Sequence, residues 1–107
     1  MAVEYKRLAA LRPANTSEAE LYAVPSNSEV IANLTIVNQT GSSATFRVAH
    51  TDAVGAAASE DWLAYDEPLA AYSRMVIPIT AKNPETVRIQ SGTADAISFL
   101  LAGMLKS

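Results

Sequence analysis

Hydrophobic and polar residues alternate along most of this chain with a period of two. Between Glu29 and Val37, one face carries Val30, Ala32, Leu34 and Ile36, and the other Ile31, Asn33, Thr35 and Val37. That period predicts a β-strand, and apolar residues on both faces predict a central strand or one covered on its outer side. After a turn over 38–43, residues 44–51 alternate again. Ala44, Phe46, Val48 and His50 are expected inward, and Thr45, Arg47, Ala49 and Thr51 outward. Further strands are predicted over 19–24, closed by Pro25, over 61–65, closed by Pro68, and over 73–80, 86–90 and 96–105. Pro78 lacks an amide hydrogen, which assigns 73–80 to a sheet edge or a bulge. Residues 3–11 are one more candidate strand, although Leu8 to Leu11 equally fit the start of a helix. The Ala-rich stretch 52–59 fits a helical turn.

These elements predict an all-β fold, a seven- to eight-stranded antiparallel sandwich or jelly roll. It is expected as a single domain over 1–107, with 1–18 an N-terminal arm or an edge strand. Residues 29–37 and 96–105 hold more apolar surface than one thin core needs. Such a surplus marks a contact surface, which predicts a homo-oligomer. The competing expectation is that residues 3–11 cover one of these faces within the same chain.

Composition narrows the class. A chain of 107 residues buries roughly 65% of its unfolded surface, enough to fold alone with a thin margin. Half of the residues are hydrophobic, 18% are charged and the net charge is −3. Of the basic residues only Lys6 and Arg7 are adjacent, so no nucleic-acid surface is expected. There is no cysteine, hence no disulfide framework or thiolate metal site. The N-terminal residues lack the signal-peptide pattern, and no apolar run is long enough to span a membrane. Sequons begin at Asn15, Asn33 and Asn38, where Asn and Thr have ordinary uses in turns and strands.

Each chemical candidate has a plainer reading. His50 lies two residues from Asp52, but no nucleophile-elbow motif accompanies them, and a hydrogen-bonded rim histidine is expected. Glu60, Asp61, Asp66 and Glu67 do not follow a calcium-loop spacing, and are expected at solvated strand ends. Trp62 and Tyr65, with Tyr5, Tyr22 and Tyr72, could line a carbohydrate platform. The favoured expectation is core packing for Trp62, with tyrosine hydroxyls at the rim. No residue is assigned as catalytic, cofactor-binding or metal-binding. The chain is expected not to be an enzyme and to need no cofactor.

A succession of short segments nevertheless has a familiar order: LYAVP (21–25), IVNQT (36–40), ATFRVAH (44–50), DWLAYDEPLAA (61–71), TVRIQS (86–91) and SFLLAG (98–103). Over residues 21–103 this order resembles small virion structural proteins of tailed bacteriophages. The positions that carry the resemblance include Asn38, Phe46, Arg47, Tyr65, Asp66, Pro68 and Phe99. The chain departs from that pattern at DAVGAAAS (52–59), in place of a Pro-Ala-Gly type turn, and at its MLKS end, in place of an acidic one. The resemblance implies a capsid cement or decoration subunit that binds the major capsid protein or other virion proteins. It further implies a homo-oligomer, a trimer ahead of a dimer, located on the virion and assembled in the host cytoplasm. A tail or neck accessory or adaptor subunit, or a carbohydrate-binding module on a tail appendage, are the alternatives.

Overall fold

The computed structural model describes residues 2–107, and Met1 lies outside them. Eight strands follow one another: β1 Val3–Leu11, β2 Ala19–Ala23, β3 Glu29–Asn38, β4 Ala44–Thr51, β5 Trp62–Leu69, β6 Arg74–Lys82, β7 Thr86–Ser91 and β8 Ile97–Lys106. They form two four-stranded antiparallel sheets, with orders β1-β8-β3-β6 (sheet A) and β2-β7-β4-β5 (sheet B). Only the β4–β5 link stays within one sheet, and every other connection crosses from sheet to sheet. The pairs β1·β8, β2·β7, β3·β6 and β4·β5 are nested, so the chain behaves as one long hairpin rolled over on itself.

Alternation puts the core between the sheets. Val30, Leu34, Ile36, Phe99 and Leu101 of sheet A face Phe46, Val48, Val87 and Ile89 of sheet B, all buried. Phe46 and Phe99 meet edge to face across the interlayer, ring centroids 6.4 Å apart at 71°, the geometry favoured by the aromatic quadrupole.

Several expectations change on contact with the fold. Residues 3–11 are a strand to their end and hydrogen-bond beside β8, so they form an edge and cover no face. Residues 52–59 contain bends and the start of one hydrogen-bonded turn, in which the Asp61 amide donates to the Ala58 carbonyl (3.0 Å), but no helix; with Gly55 at a φ of 130° the chain leaves helical space there. The fifth strand runs through Pro68 to Leu69. Pro68 is tolerated because β5 is the margin of sheet B, where an amide is not needed on the open side. By the same logic Pro78 sits in β6, the margin of sheet A. Ala49, expected to face outward, does so but is fully buried.

One buried polar residue ties the loop end together. Asn38 is wholly inaccessible. Its Nδ2 donates to the carbonyls of Ser42 (2.8 Å), Leu69 (3.0 Å) and Ala70 (3.3 Å), and its Oδ1 accepts from the Thr40 amide (3.0 Å) and hydroxyl (2.8 Å). The side chain thus substitutes for backbone pairing in two turns at once, and its burial carries little desolvation penalty.

Candidate functional site

The two outer faces of the sandwich differ in kind. The outer face of sheet B is laced by its own polar side chains, and its exposed large apolar residues, Leu63 and Tyr65, are confined to the margin strand β5. β5 carries extra residues opposite β4, with register breaks between Phe46 and Val48 and between Val48 and Ala49. At the first of these Asp66 adopts a φ of 52°, a left-handed conformation that Asp tolerates at a bulge. The bulge aims Asp66 at Arg47, whose Nε donates to Oδ1 (2.7 Å) and Nη2 to Oδ2 (3.1 Å). The guanidinium lies 3.9 Å from the Tyr65 ring centroid and 5.8 Å from that of Trp62. Trp62 therefore packs half-buried on this outer face and not in the core, because the register breaks turn it out beside Arg47. Its ring meets Tyr65 edge to face at 5.5 Å and 73°.

The remainder of that face is tied to flanking segments. Arg88 Nε donates to Glu18 Oε2, which also accepts from the Ala57 amide (3.0 Å). Gln90 Nε2 donates to the Thr16 carbonyl (2.9 Å), and the hydroxyls of Thr51 and Thr86 share a buried hydrogen bond. Burial pushes the Glu18 carboxyl up, but the Ala57 amide and the Arg88 guanidinium outweigh it and hold Glu18 below the usual carboxylate range. The Arg47 hydrogen bonds hold Asp66 low against a smaller opposing effect of desolvation.

His50 is at the rim, half-buried, with Nε2 2.9 Å from Glu85 Oε1. The Lys82 amide, donating to the same oxygen at 3.0 Å, lowers the Glu85 pKa; desolvation opposes it and His50 assists. The acidic stretch does not converge. Asp66 is held by Arg47, and Asp61 Oδ2 accepts from the Ala58 amide at 2.8 Å. Among the described residues no three His, Asp or Glu side chains gather as a metal site would require.

The outer face of sheet A is the opposite case. It is open, and its cross-strand rows are largely apolar. One row runs Tyr5, Met104, Ile31, Thr80, the next Arg7, Ala102, Asn33, Pro78, and the next Ala10, Leu100, Thr35, Val76. Tyr5 is 81% exposed, Ile31 55% and Val76 49%, high values for large apolar side chains within strands. A shallow groove of about 440 Å³ lies along one end, between Leu11, Thr35, Val37 and Leu100. Three charges share the row at the other end, where Lys106 reaches Glu29 at 3.2 Å beside Lys82; Arg7 lies within the face, and Arg74 and Arg12 stand at the groove end. A flat apolar sheet face bounded by charge is suited to a macromolecular contact.

Sequence reasoning located this face through the two-sided apolar pattern of residues 29–37 and 96–105. It missed Tyr5 as part of it, since the place of β1 beside β8 has no local signature. It also missed the Glu18–Arg88 pair, whose partners are far apart in sequence. No protein-family model matches the chain, and no curated protein matches it.

The lowered carboxyls predict an acid limb. Glu18, Asp66 and Glu85 all have folded pKa values below their unfolded ones. Their stabilisation is fully present above the unfolded carboxylate range and is lost as pH falls through the folded values. Melting temperature is therefore expected to hold between pH 6 and 7 and to fall below about pH 4.5. Glu18→Gln is expected to cost about 1–2 kcal/mol at neutral pH and to make the acid fall shallower. An acid limb identical in the two proteins would remove Glu18 from it.

Proposed function

We propose that this chain is a non-enzymatic virion structural protein, a capsid cement or decoration subunit that docks on the major capsid protein through the outer face of sheet A. The observation that carries this reading is the contrast between the two faces: sheet B pairs its polar side chains and leaves Leu63 and Tyr65 exposed on one margin strand, while sheet A leaves Tyr5, Leu100, Ile31 and Val76 in solvent across all four of its strands. The nested strand order fits the jelly roll, a double-sheet design used by viral shells and also by lectins. That is a fold-level analogy, which supports the reading without selecting it. The residues that carry the resemblance to phage virion proteins make paired contacts, Phe46 with Phe99 and Arg47 with Asp66 and Tyr65. Many weak copies on a lattice gain by avidity, so a modest apolar face suffices.

The carbohydrate-module alternative needs coplanar exposed aromatics. Trp62 and Tyr65 stand at 73° to each other and a guanidinium covers the Tyr65 ring, which disfavours that pair as a sugar platform. A tail or neck position keeps the same docking face and differs only in partner.

Cryo-electron microscopy of the particle that carries this chain tests the reading. The expected result is sandwich density on the shell with sheet A downward. Density on the tail selects the adaptor alternative, and its absence from both rejects a structural role. In a co-sedimentation assay with particles lacking the subunit, Ile31→Lys and Val76→Lys are each expected to weaken binding about 30-fold without changing the melting temperature.

A further inference from the structure

Four strands form the margins of the two sheets, and three of them are protected against pairing. β6 carries Pro78 at its centre, β5 carries Pro68 and two register breaks, and β2 has five residues with a break between Glu20 and Tyr22. β1 is different. Its one irregularity lies between Arg7 and Ala9, which leaves Val3 to Arg7 as a regular, proline-free margin.

The backbone phase of that margin is fixed. The Ala2 amide donates to the Ser107 carbonyl (3.1 Å) and the Ser107 amide to the Ala2 carbonyl (2.9 Å). Ala2 and, by alternation, Glu4 and Lys6 therefore direct their amides and carbonyls toward β8. Val3, Tyr5 and Arg7 direct theirs away from the sheet, where they have no strand partner. Glu4 and Lys6 point to the core side of sheet A, but at its open margin, with side chains 61% and 46% exposed and 3.6 Å apart. Charges so placed normally repel a passing strand.

We infer that a second copy of this chain is the strand that they accept, paired antiparallel along β1 with Tyr5 opposite Tyr5 on a twofold axis. Tyr5 and the Val3–Arg7 pairs on either side then exchange roughly six backbone hydrogen bonds. Glu4 of each copy falls opposite Lys6 of the other, giving a ring of four alternating charges on the core side. Neighbouring registers fail on charge. An axis at Glu4, Lys6 or Arg7 sets that residue against its own copy, and an axis at Val3 sets Glu4 opposite the uncharged Ala2. On the outer side, the two Tyr5 rings join the Met104–Ile31 rows of both copies into one continuous apolar belt. The assembly is an eight-stranded sheet A shared by two chains, an isologous dimer.

The inference adds an oligomeric unit to the docking subunit proposed above. Its test uses the isolated chain, and its variants differ from those of the particle assay, so either reading can fail alone. Sedimentation equilibrium and light scattering over a concentration series read the association. The wild type is expected to show a concentration-dependent dimer of the 11.3 kDa chain. Tyr5→Pro removes an amide that points to solvent, so the melting temperature is expected to hold while the dimer is lost. Glu4→Lys and Lys6→Glu are each expected to weaken the dimer about tenfold, and the double exchange Glu4→Lys/Lys6→Glu to restore it. A wild type that is monomeric at its highest soluble concentration overturns the inference. So does a trimer, a dimer indifferent to Tyr5→Pro, or a double exchange no tighter than the single variants.

Discussion

Gly103→Ala is expected to cost this protein about 3 kcal/mol or more, from the addition of one methyl group. Gly103 lies in β8, the strand between β1 and β3, opposite Ala32 and Lys6. A Cβ at this position would stand 2.5 Å from both the Ala32 Cα and the Ile31 carbonyl oxygen, and 2.9 Å from the Ala32 Cβ. These are backbone or near-backbone atoms, so no side-chain rotation relieves the clash. Relief requires β8 to move away from β3 at the centre of sheet A, breaking ladder bonds on a strand that also holds β1. Urea denaturation of the variant beside the wild type measures the cost. A difference below about 0.5 kcal/mol, the size of an ordinary surface substitution, would mean that β8 and β3 are farther apart here than described. Gly55 serves as the control, because a Cβ there meets nothing within 4 Å. Substitution at Gly55 is expected to cost only what its φ of 130° imposes.

Phe46→Ala is expected to remove about 3–5 kcal/mol. Phe46 is 1% exposed and is the largest fully buried side chain of sheet B, meeting Phe99 of sheet A edge to face. The neighbours are strand residues fixed by ladders on both sides, so the cavity left behind cannot collapse far. A domain of this length has about 5–15 kcal/mol of total stability, so the variant is expected to melt well below the wild type or to be unfolded at 37 °C. Phe46→Leu keeps most of the volume and loses only the aromatic contact, with an expected cost of about 1.5 kcal/mol. Equal melting temperatures for wild type and Phe46→Ala would reject the inward assignment of β4.

The alternation in residues 29–37, 86–90 and 96–105 was enough to read three strands, each paired on both sides, and for 86–90 the inward face as well; in the other two, apolar residues on both faces left the inward side to be decided by the sheet pairing. Prolines were less transparent. Pro78 was correctly tied to an edge, yet Pro68, chemically the same signal, lies inside a strand and does not end it. The difference is set by which side of β5 faces solvent, a property of the sheet and not of the local sequence. Trp62 was expected in the core because its size favours burial. What places it outside is a pair of bulges in β5, and nothing in DWLAYDEPL marks their positions except Asp66, one of the few residue types at ease with a positive φ. His50 was legible as a rim residue from its place at a strand end. Its partner Glu85 was not, since the two meet across the β4–β7 ladder. The open apolar face of sheet A was legible as surplus apolar surface. That it remains open depends on β1 lying beside β8, a pairing of the first strand with the last.

That same rolled hairpin governs when the domain can form. β3 is flanked by β6 and β8, and β1 touches no strand of its own sheet but β8. During synthesis, sheet A therefore has no interior until residues 97–106 have left the ribosome, and β1 waits for β8. Every pairing but β4·β5 closes a long loop, which places folding in the slow, millisecond-to-second regime of non-local β topologies. Through that interval the apolar strands of the nascent chain are exposed to chaperones and to one another, and the prolines of β5 and β6 are what oppose pairing of neighbouring nascent chains along those two margins.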